Sequence, residues 1–475
     1  MLYETLHSLL DTFFHLRAIT LSYSDPSYIT PEIKFLLRKK NKLMKANRLD
    51  EANSISKKVG SMIIRHNSTK LSHYDPRSTT KDLWDEVHRL TKAPKTHTIH
   101  TDPKFDSTLL NTHFATISHD PSYVRPMLKP IADPTKILPP IQEYEVFNCL
   151  DNLRPTASGP DSIPFWFLRL AAPFLTTPFT HLINLSLNHS IVPSQWKSAI
   201  IHPIPKIPAP TTPSDFRPIS VVSILSRVTE RLLVSHYLQP AVSAIPKPLT
   251  IQNQFAYRPT SSTTAALIAI FSKITDLLRT NDHVHCITFD YSKTFDTLSH
   301  DAVARRLTLL NIPTNVHNWI IDFLQDRSHC TTQNGITSPL LSINASIVQG
   351  SVLGPNLFNI NSSDLIPSDP HNFYFKYADD AYLIVPSSNA HTIPLQISHH
   401  TLWASSCNLK LNPNKTAELV FLSRRECPFP PQPQVSTESN PCLSLASSLI
   451  RSSTSLSMSE MFYCNATDPF LLYEP

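Results

Sequence analysis

The sequence predicts an α+β fold, and two stretches carry that prediction. The first is Phe373-Tyr374-Phe375-Lys376-Tyr377-Ala378-Asp379-Asp380-Ala381-Tyr382-Leu383-Ile384-Val385. Aromatic and β-branched residues flank a turn of small and acidic ones, the composition of a β-hairpin with Asp379 and Asp380 at its tip. The second runs from His283 to His300. Its first half reads as a buried strand and its second half, Asp290-Tyr-Ser-Lys293-Thr-Phe295-Asp296, as the start of a helix. Asp290 then lies where the strand ends and a side chain can point into a site. Two adjacent carboxylates repel each other, so an apolar hairpin that holds them, with a third carboxylate upstream, calls for a hard cation such as Mg²⁺ or Mn²⁺. An isolated Asp-Asp would be an ordinary acidic turn.

The chain has 475 residues, enough for two or three compact units with a sizeable core. A formal charge of +5 with 22 histidines permits nucleic-acid binding without requiring it. The cysteines (149, 286, 330, 407, 427, 442, 464) show no C-x-x-C pair, which points to reduced intracellular thiols and against a disulfide framework or zinc site. Met1 to Thr20 is apolar but interrupted by Glu4, His7, Asp11, His15 and Arg17, so it predicts neither a signal peptide nor a membrane span. Glycine occurs 5 times and proline 42. An average chain of this length would have roughly 33 glycines. Three of the glycines, Gly159, Gly350 and Gly354, fall in motif-like stretches, where backbone freedom or the lack of a side chain is needed.

In chain order, Thr30-Pro31-Glu32 opens an amphipathic helix. Ile33, Leu36, Leu37, Leu43 and Met44 form its apolar stripe, and Lys34, Arg38, Lys39, Lys40, Lys42, Lys45 and Arg48 crowd the rest. That face suits RNA phosphates and equally suits water. Residues 67–135 are polar and rich in proline and histidine, a connector with one helix around Lys81 to Leu90. Glu143 to Leu153 is a short helix, Arg154 to Pro164 a turn, and residues 165–190 an apolar helix. Trp196 to Lys206 alternates as a strand. A proline-rich loop then leads to a returning element at Asp215-Phe216-Arg217-Pro218-Ile219-Ser220. Taken alone, Lys206 and Arg217 are surface charges, although the layout would suit a clamp on triphosphate oxygens. Ser223 to Gln239 is helical, and hydroxyl caps open another helix after Asn253-Gln254-Phe255-Ala256-Tyr257-Arg258. The helices Asp301 to Leu310 and Trp319 to Leu324 are scaffold. Beyond the hairpin, a helix at Leu402 to Cys407 is followed by a strand through Asn408 to Thr416. The last stretch, 426–475, is rich in proline and serine and is expected to be disordered.

Three of these stretches together resemble motifs of the reverse transcriptases. Asp290-x-x-Lys293-x-Phe295-Asp296 is similar to motif A, Gln349-Gly350-Ser351-Val352-Leu353-Gly354-Pro355 to motif B, and Tyr377-Ala378-Asp379-Asp380 to motif C, in that order. The details resemble the non-LTR (LINE) retrotransposon branch, nearest its jockey and I relatives. The resemblance implies a right-hand polymerase: a palm of antiparallel strands with helices on one face, and fingers inserted before it, with residues 136–425 as the reverse transcriptase domain. It implies that Asp290, Asp379 and Asp380 hold Mg²⁺ (or Mn²⁺) and that Lys415 protonates the departing pyrophosphate. Lys206, Arg217, Phe295, Gln349 and Gly350 would bind the nucleotide, with the Phe295 ring excluding a ribose 2′-hydroxyl. Gln254, Arg258 and Tyr377 would meet template or primer, the alternative for Gln254 and Arg258 being to anchor their loop. RNA template, DNA primer and deoxynucleoside triphosphates are the implied partners, in cytoplasm and nucleus. The chain departs from the family pattern at Ala256 and Ser261, where glycine is usual, and at Thr294, where alanine is usual. The sequence is expected to lack a recognisable thumb and to have no room for the endonuclease that such proteins usually carry further upstream of the basic helical segment, residues 1–66. The expectation is thus a truncated copy, with a catalytically inactive RNA-binding relic as the alternative to an active polymerase.

Overall fold

The computed structural model describes residues 2–14, 30–46, 48–72, 105–131, 138–244, 249–258, 261–413, 415–423 and 453–455. The chain divides into two units, Met1–Thr101 and Asp102–Pro475. In the first, Thr30 caps the helix Pro31–Lys45 by accepting from the Ile33 amide at 3.2 Å, as the Thr-Pro-Glu signal predicts. Ile33 and Leu36 pack on Val59 of the helix Leu49–Ser72, with Ile55 and Met62 at the edge. That packing turns Arg38, Lys39 and Lys42 outward.

The second unit holds the strands β1 (Ser198–Pro205), β2 (Phe216–Val221), β3 (His283–Phe289), β4 (Tyr291–Ser292), β5 (Arg327–Gln333), β6 (Ile336–Thr337), β7 (Leu341–Ile343), β8 (Phe373–Tyr377), β9 (Asp380–Pro386), β10 (Lys410–Leu411), β11 (Ala417–Leu422) and β12 (Ser453–Ser455). One sheet runs β2-β1-β5, with β6 and β7 both paired to β5. The other runs β12-β11-β3-β9-β8, and β4 pairs with β10 as a separate two-residue ladder. In the second sheet each neighbouring pair of the series β8, β9, β3 and β11 is antiparallel, and β12 joins β11 in parallel.

The sheet β11-β3-β9-β8 is covered on both faces, which corrects the expectation of helices on one face. Val284, Cys286, Ile384 and Phe421 receive Ile270 and Ile274 of the helix Thr263–Leu277. On the opposite face, Ile287 and Phe289 meet Ile393 and Ile397 of the helix Ile393–Ser406. Ala381–Pro386 is a nearly continuous apolar run, and in His283–Phe289 residues of both faces are buried, His285 by pairing with Glu418 at 2.7 Å, as in strands covered on both sides. On that second face the His400 ring stacks on Phe289 at 3.7 Å, and its nitrogens meet the hydroxyls of Tyr291 (2.6 Å) and Tyr374 (2.9 Å).

The stretch expected to be a connector is also corrected where it is described. Asp106 caps the helix Ser107–Ile117, and Phe105, Leu110 and Phe114 pack on Ile201 of β1 and Phe216 of β2. Asn111 is buried against His329 and Thr331 of β5. The polar composition of the segment hides an apolar spacing of five and four residues that forms one helix face. Residues 165–190 form two helices, Phe165–Leu170 and Ala172–His189, because Pro173 has no amide to continue the first helix but suits the first turn of the next. The helix expected at Lys81 to Leu90 lies outside the described residues, as does the 426–475 stretch apart from β12.

Candidate active site

Strand register brings the three predicted carboxylates to one edge of the second sheet. β3 ends at Phe289, which pairs with Ala381, so Asp290 emerges beside the start of β9. β8 reverses into β9 through Ala378 and Asp379, with Tyr377 opposite Asp380. Ala378 has φ 52°, a left-handed conformation that a small residue tolerates best. Gln254 holds it there: its Oε1 accepts from the Ala378 amide at 3.0 Å and its Nε2 donates to the Ala378 carbonyl at 3.2 Å.

The carboxylates differ in their partners. The Asp290 carbonyl accepts from the Asn412 amide at 2.8 Å, and its Oδ2 lies 3.8 Å from Lys415 Nζ. Asp379 Oδ2 accepts from the Thr294 hydroxyl at 3.1 Å. Burial raises the Asp290 pKa and Asp379 adds to that, while Lys415 and a hydrogen bond from Asn412 oppose it. The Asp380 side chain keeps solvent access, yet its packed surroundings, then the charges of Asp379 and Asp290, push its pKa up to about 6. Neighbouring carboxylate charges that raise the pKa of Asp290 and Asp380 in this way mark a donor set suited to a hard divalent cation. Among the described residues, no group of three or more His, Cys, Asp or Glu closes to metal-ligand geometry. Lys415 and Thr294 instead engage oxygens of two of them.

A second cluster carries positive charge. Lys206 donates to the Ser214 carbonyl at 2.9 Å. Its pKa is lowered by burial, then by Arg217 and Lys415, against the pull of Asp296 and Asp215. Burial and Lys206 likewise lower Lys293, which Asp296 opposes. Asp296, largely buried between these lysines, is pushed up to about 6. Arg217, Lys293 and Lys415 thus each lie within electrostatic reach of Lys206, and Lys415 also reaches Asp290, a set of cations able to hold a polyanion.

The loop before the helix Leu353–Asn361 packs on the stretch that follows Asp290, the Ile347 amide donating to the Phe295 carbonyl at 3.0 Å. Gln349 is flanked by residues with positive φ: Ser346 (95°), Val348 (35°) and Gly350 (115°). Val348 is β-branched, so its backbone is strained there. Gly350 lies so close to the Ser220 carbonyl that a Cβ would collide with it, and the Ser220 amide donates to the Gln349 carbonyl at 3.2 Å. The fully buried Glu230, on the helix Ile224–Leu233, accepts from the amides of Val352 (2.7 Å) and Leu353 (3.1 Å) and from the Ser226 hydroxyl. Phe295 stacks on Phe358, centroids 5.6 Å apart.

A family profile described as reverse transcriptase (RNA-dependent DNA polymerase) matches residues 204–442, half of the chain. The chain belongs to the reverse transcriptase family. Its stretch is 28% identical over 262 residues to an RNA-directed DNA polymerase from mobile element jockey of Drosophila melanogaster, covering 52% of this chain and 28% of that protein. It is 29% identical to a probable RNA-directed DNA polymerase from transposon BS of the same fly, covering 50% of this chain and 27% of that protein. A third relative is a retrovirus-related Pol polyprotein from the type-1 retrotransposable element R2 of Popillia japonica, at 28% identity over 48% of this chain and 31% of that protein. The chain therefore spans about a third or less of the length of the curated relatives it matches. Apo telomerase from Candida tropicalis, truncated from its C-terminal domain, has TM-score 0.37 at 18% identity over 48% of this chain and 51% of that chain, a likeness too loose to carry an argument.

In this reverse transcriptase sequence, Asp290, Asp379 and Asp380 share one edge, with Lys415, Lys206 and Arg217 nearby. Gln254 and Arg258 both make the contacts of the loop-anchoring alternative. Gln254 is 1% exposed and spends its amide on the hairpin turn, and Arg258 donates to the carbonyls of Ile251 (2.7 Å) and Gln254 (2.9 Å). Both anchor the loop, the alternative reading of these residues, because buried backbone groups need partners. Tyr377 is half-buried beside the turn. The motif around Asp290 singles out Lys293, Thr294 and Asp296 in the sequence, without assigning Lys293 or Asp296 a role at the site. His113 is the contributor that sequence reasoning missed. Burial, Lys293 and Lys206 lower its pKa, and nothing in its sequence context points to the site.

Proposed function

We propose that the chain is the polymerase portion of a non-LTR retrotransposon protein, joining deoxynucleotides to a DNA primer under the direction of an RNA template. The observation that carries this reading is the pairing, in a reverse transcriptase family member, of three carboxylates at one sheet edge with the cations Lys206, Arg217, Lys293 and Lys415. The sheet β11-β3-β9-β8 takes the part of the palm, and β1 and β2 that of the fingers. Asp290, Asp379 and Asp380 would hold Mg²⁺ or Mn²⁺, which when bound would supply Lewis-acid activation of the primer hydroxyl and charge neutralisation at the leaving group.

The remaining work falls to the chain's own groups. Lys206 and Arg217 bind triphosphate oxygens by charge. Gln349, presented on a strained loop, meets the nucleotide or template base, and Gly350 admits backbone close to it. The Phe295 ring, braced by Phe358, crowds a ribose 2′-hydroxyl. Lys415, whose Nζ lies 3.8 Å from Asp290, would give a proton to departing pyrophosphate.

The test is incorporation of labelled dTTP on a poly-A template primed with oligo-dT in Mg²⁺, using the full chain and its Asp379→Asn variant. Incorporation by the unmutated protein alone supports the polymerase. Equal incorporation by the variant rules the mechanism out. No incorporation by a chain that unfolds cooperatively transfers the assignment to an inactive, RNA-binding member of the family.

A further inference from the structure

Asp379 is held twice, and the second hold belongs to a residue that the polymerase reading leaves unused. Gln254 fixes the backbone of the turn at Ala378. The side chain of Asp379 is fixed separately, by the Thr294 hydroxyl donating to Oδ2 at 3.1 Å. Thr294 opens the short helix Thr294–Thr297, directly after Lys293, whose φ of 57° turns the chain out of β4. It is 3% exposed, so its hydroxyl has little water to turn to. A β-branched side chain has few χ1 choices, and the hydroxyl is therefore aimed in advance.

A carboxylate that must hold a cation gains from such a partner. A hydrogen bond on one oxygen fixes the carboxylate plane and leaves the other oxygen's lone pairs pointing in one direction, as outer-shell partners do for metal ligands generally. We propose that Thr294 is a positioning residue that orients Asp379 to bind the divalent cation through Oδ1. The proposal rests on the polymerase reading only in taking Asp379 as a cation ligand.

The test reads metal binding directly. The full chain is titrated with Mn²⁺ in the absence of nucleotide and nucleic acid, and free Mn²⁺ is followed by its electron paramagnetic resonance signal. The proteins compared are the unmutated chain, Thr294→Val, Thr294→Ser, Thr294→Ala and, as the control for a lost ligand, Asp379→Asn. Valine keeps the shape and removes the hydroxyl, so Thr294→Val should bind Mn²⁺ about 10- to 100-fold more weakly. Serine restores the hydroxyl and should recover most of the affinity. Thr294→Ala repeats the measurement should valine impair folding, as judged by thermal unfolding. Unchanged or tighter Mn²⁺ binding by both hydroxyl-free variants overturns the proposal, as does an unmutated chain that binds no Mn²⁺. Primer extension by the unmutated chain reports separately on the polymerase reading, so the two failures are told apart.

Discussion

Asp296 shows what a single side chain costs and contributes. Its pKa is pushed to about 6 against an ordinary 3.8. The folded state therefore holds the proton more tightly than the unfolded one, and this carboxyl's contribution to stability falls as pH rises from about 4 to about 6. A rise of that size corresponds to at most about 3 kcal/mol. Asp296→Asn removes the titration. Melting temperatures of the two proteins should converge near the lower end of that window and separate toward neutral pH, with the variant the more stable, and a gap independent of pH would contradict the assignment. At this scale the sequence was partly legible. Asp290, Asp379 and Asp380 stand where apolar alternation stops, and a strand end displays its last polar side chain. Gln254 left both readings open because a polar residue buried to satisfy a backbone turn has the same identity as one displayed to a ligand. Replacing Gln254 by Leu strands the Ala378 amide and carbonyl, at about 1–3 kcal/mol for each group left buried and unpaired. The hairpin turn then loosens. The urea midpoint should drop together with incorporation, and a variant with unaltered incorporation would show that the turn needs no brace.

Elements were read best where one period dominates. The hairpin β8–β9 and the capped helix at Thr30 follow from alternation and from the Thr-Pro-Glu signal. The helix Ser107–Ile117 was missed because histidine and proline around it mask an apolar face, and the two-sided covering of β3 and β9 because a continuous apolar run does not say what lies on each side. The loop around Gly350 combines the two demands that only glycine meets, a φ of 115° and contact with the Ser220 carbonyl. Gly350→Ala should cost about 1–3 kcal/mol of backbone strain before any clash is counted. Chemical denaturation reads this as a lowered midpoint, and nucleotide KM should rise because Gln349 is displaced with the loop. An alanine variant with the original midpoint and KM would mean the loop has another conformation open to it.

For the whole molecule, the proposed RNA partner predicts a dependence on salt. Arg38, Lys39 and Lys42 lie exposed on the helix Pro31–Lys45. If they meet phosphates, replacing all three by Gln should lower the slope of log affinity for single-stranded RNA against log salt by about 2. A slope equal to that of the unmutated chain would assign the face to water. Among the described residues no helix is long and apolar enough to cross a membrane. The link through Glu230 and Ser220 has a mechanical meaning. One end of β2, which carries Arg217, is tied to the Gln349–Gly350 loop, and the helix behind it is tied to the amides that begin Leu353–Asn361. Arg217 and Gln349, the cation proposed to grip a triphosphate and the glutamine proposed to meet its base, are thus joined through one short strand and one backbone hydrogen bond, so that displacing the Gln349–Gly350 loop disturbs both ends of a bound nucleotide at once.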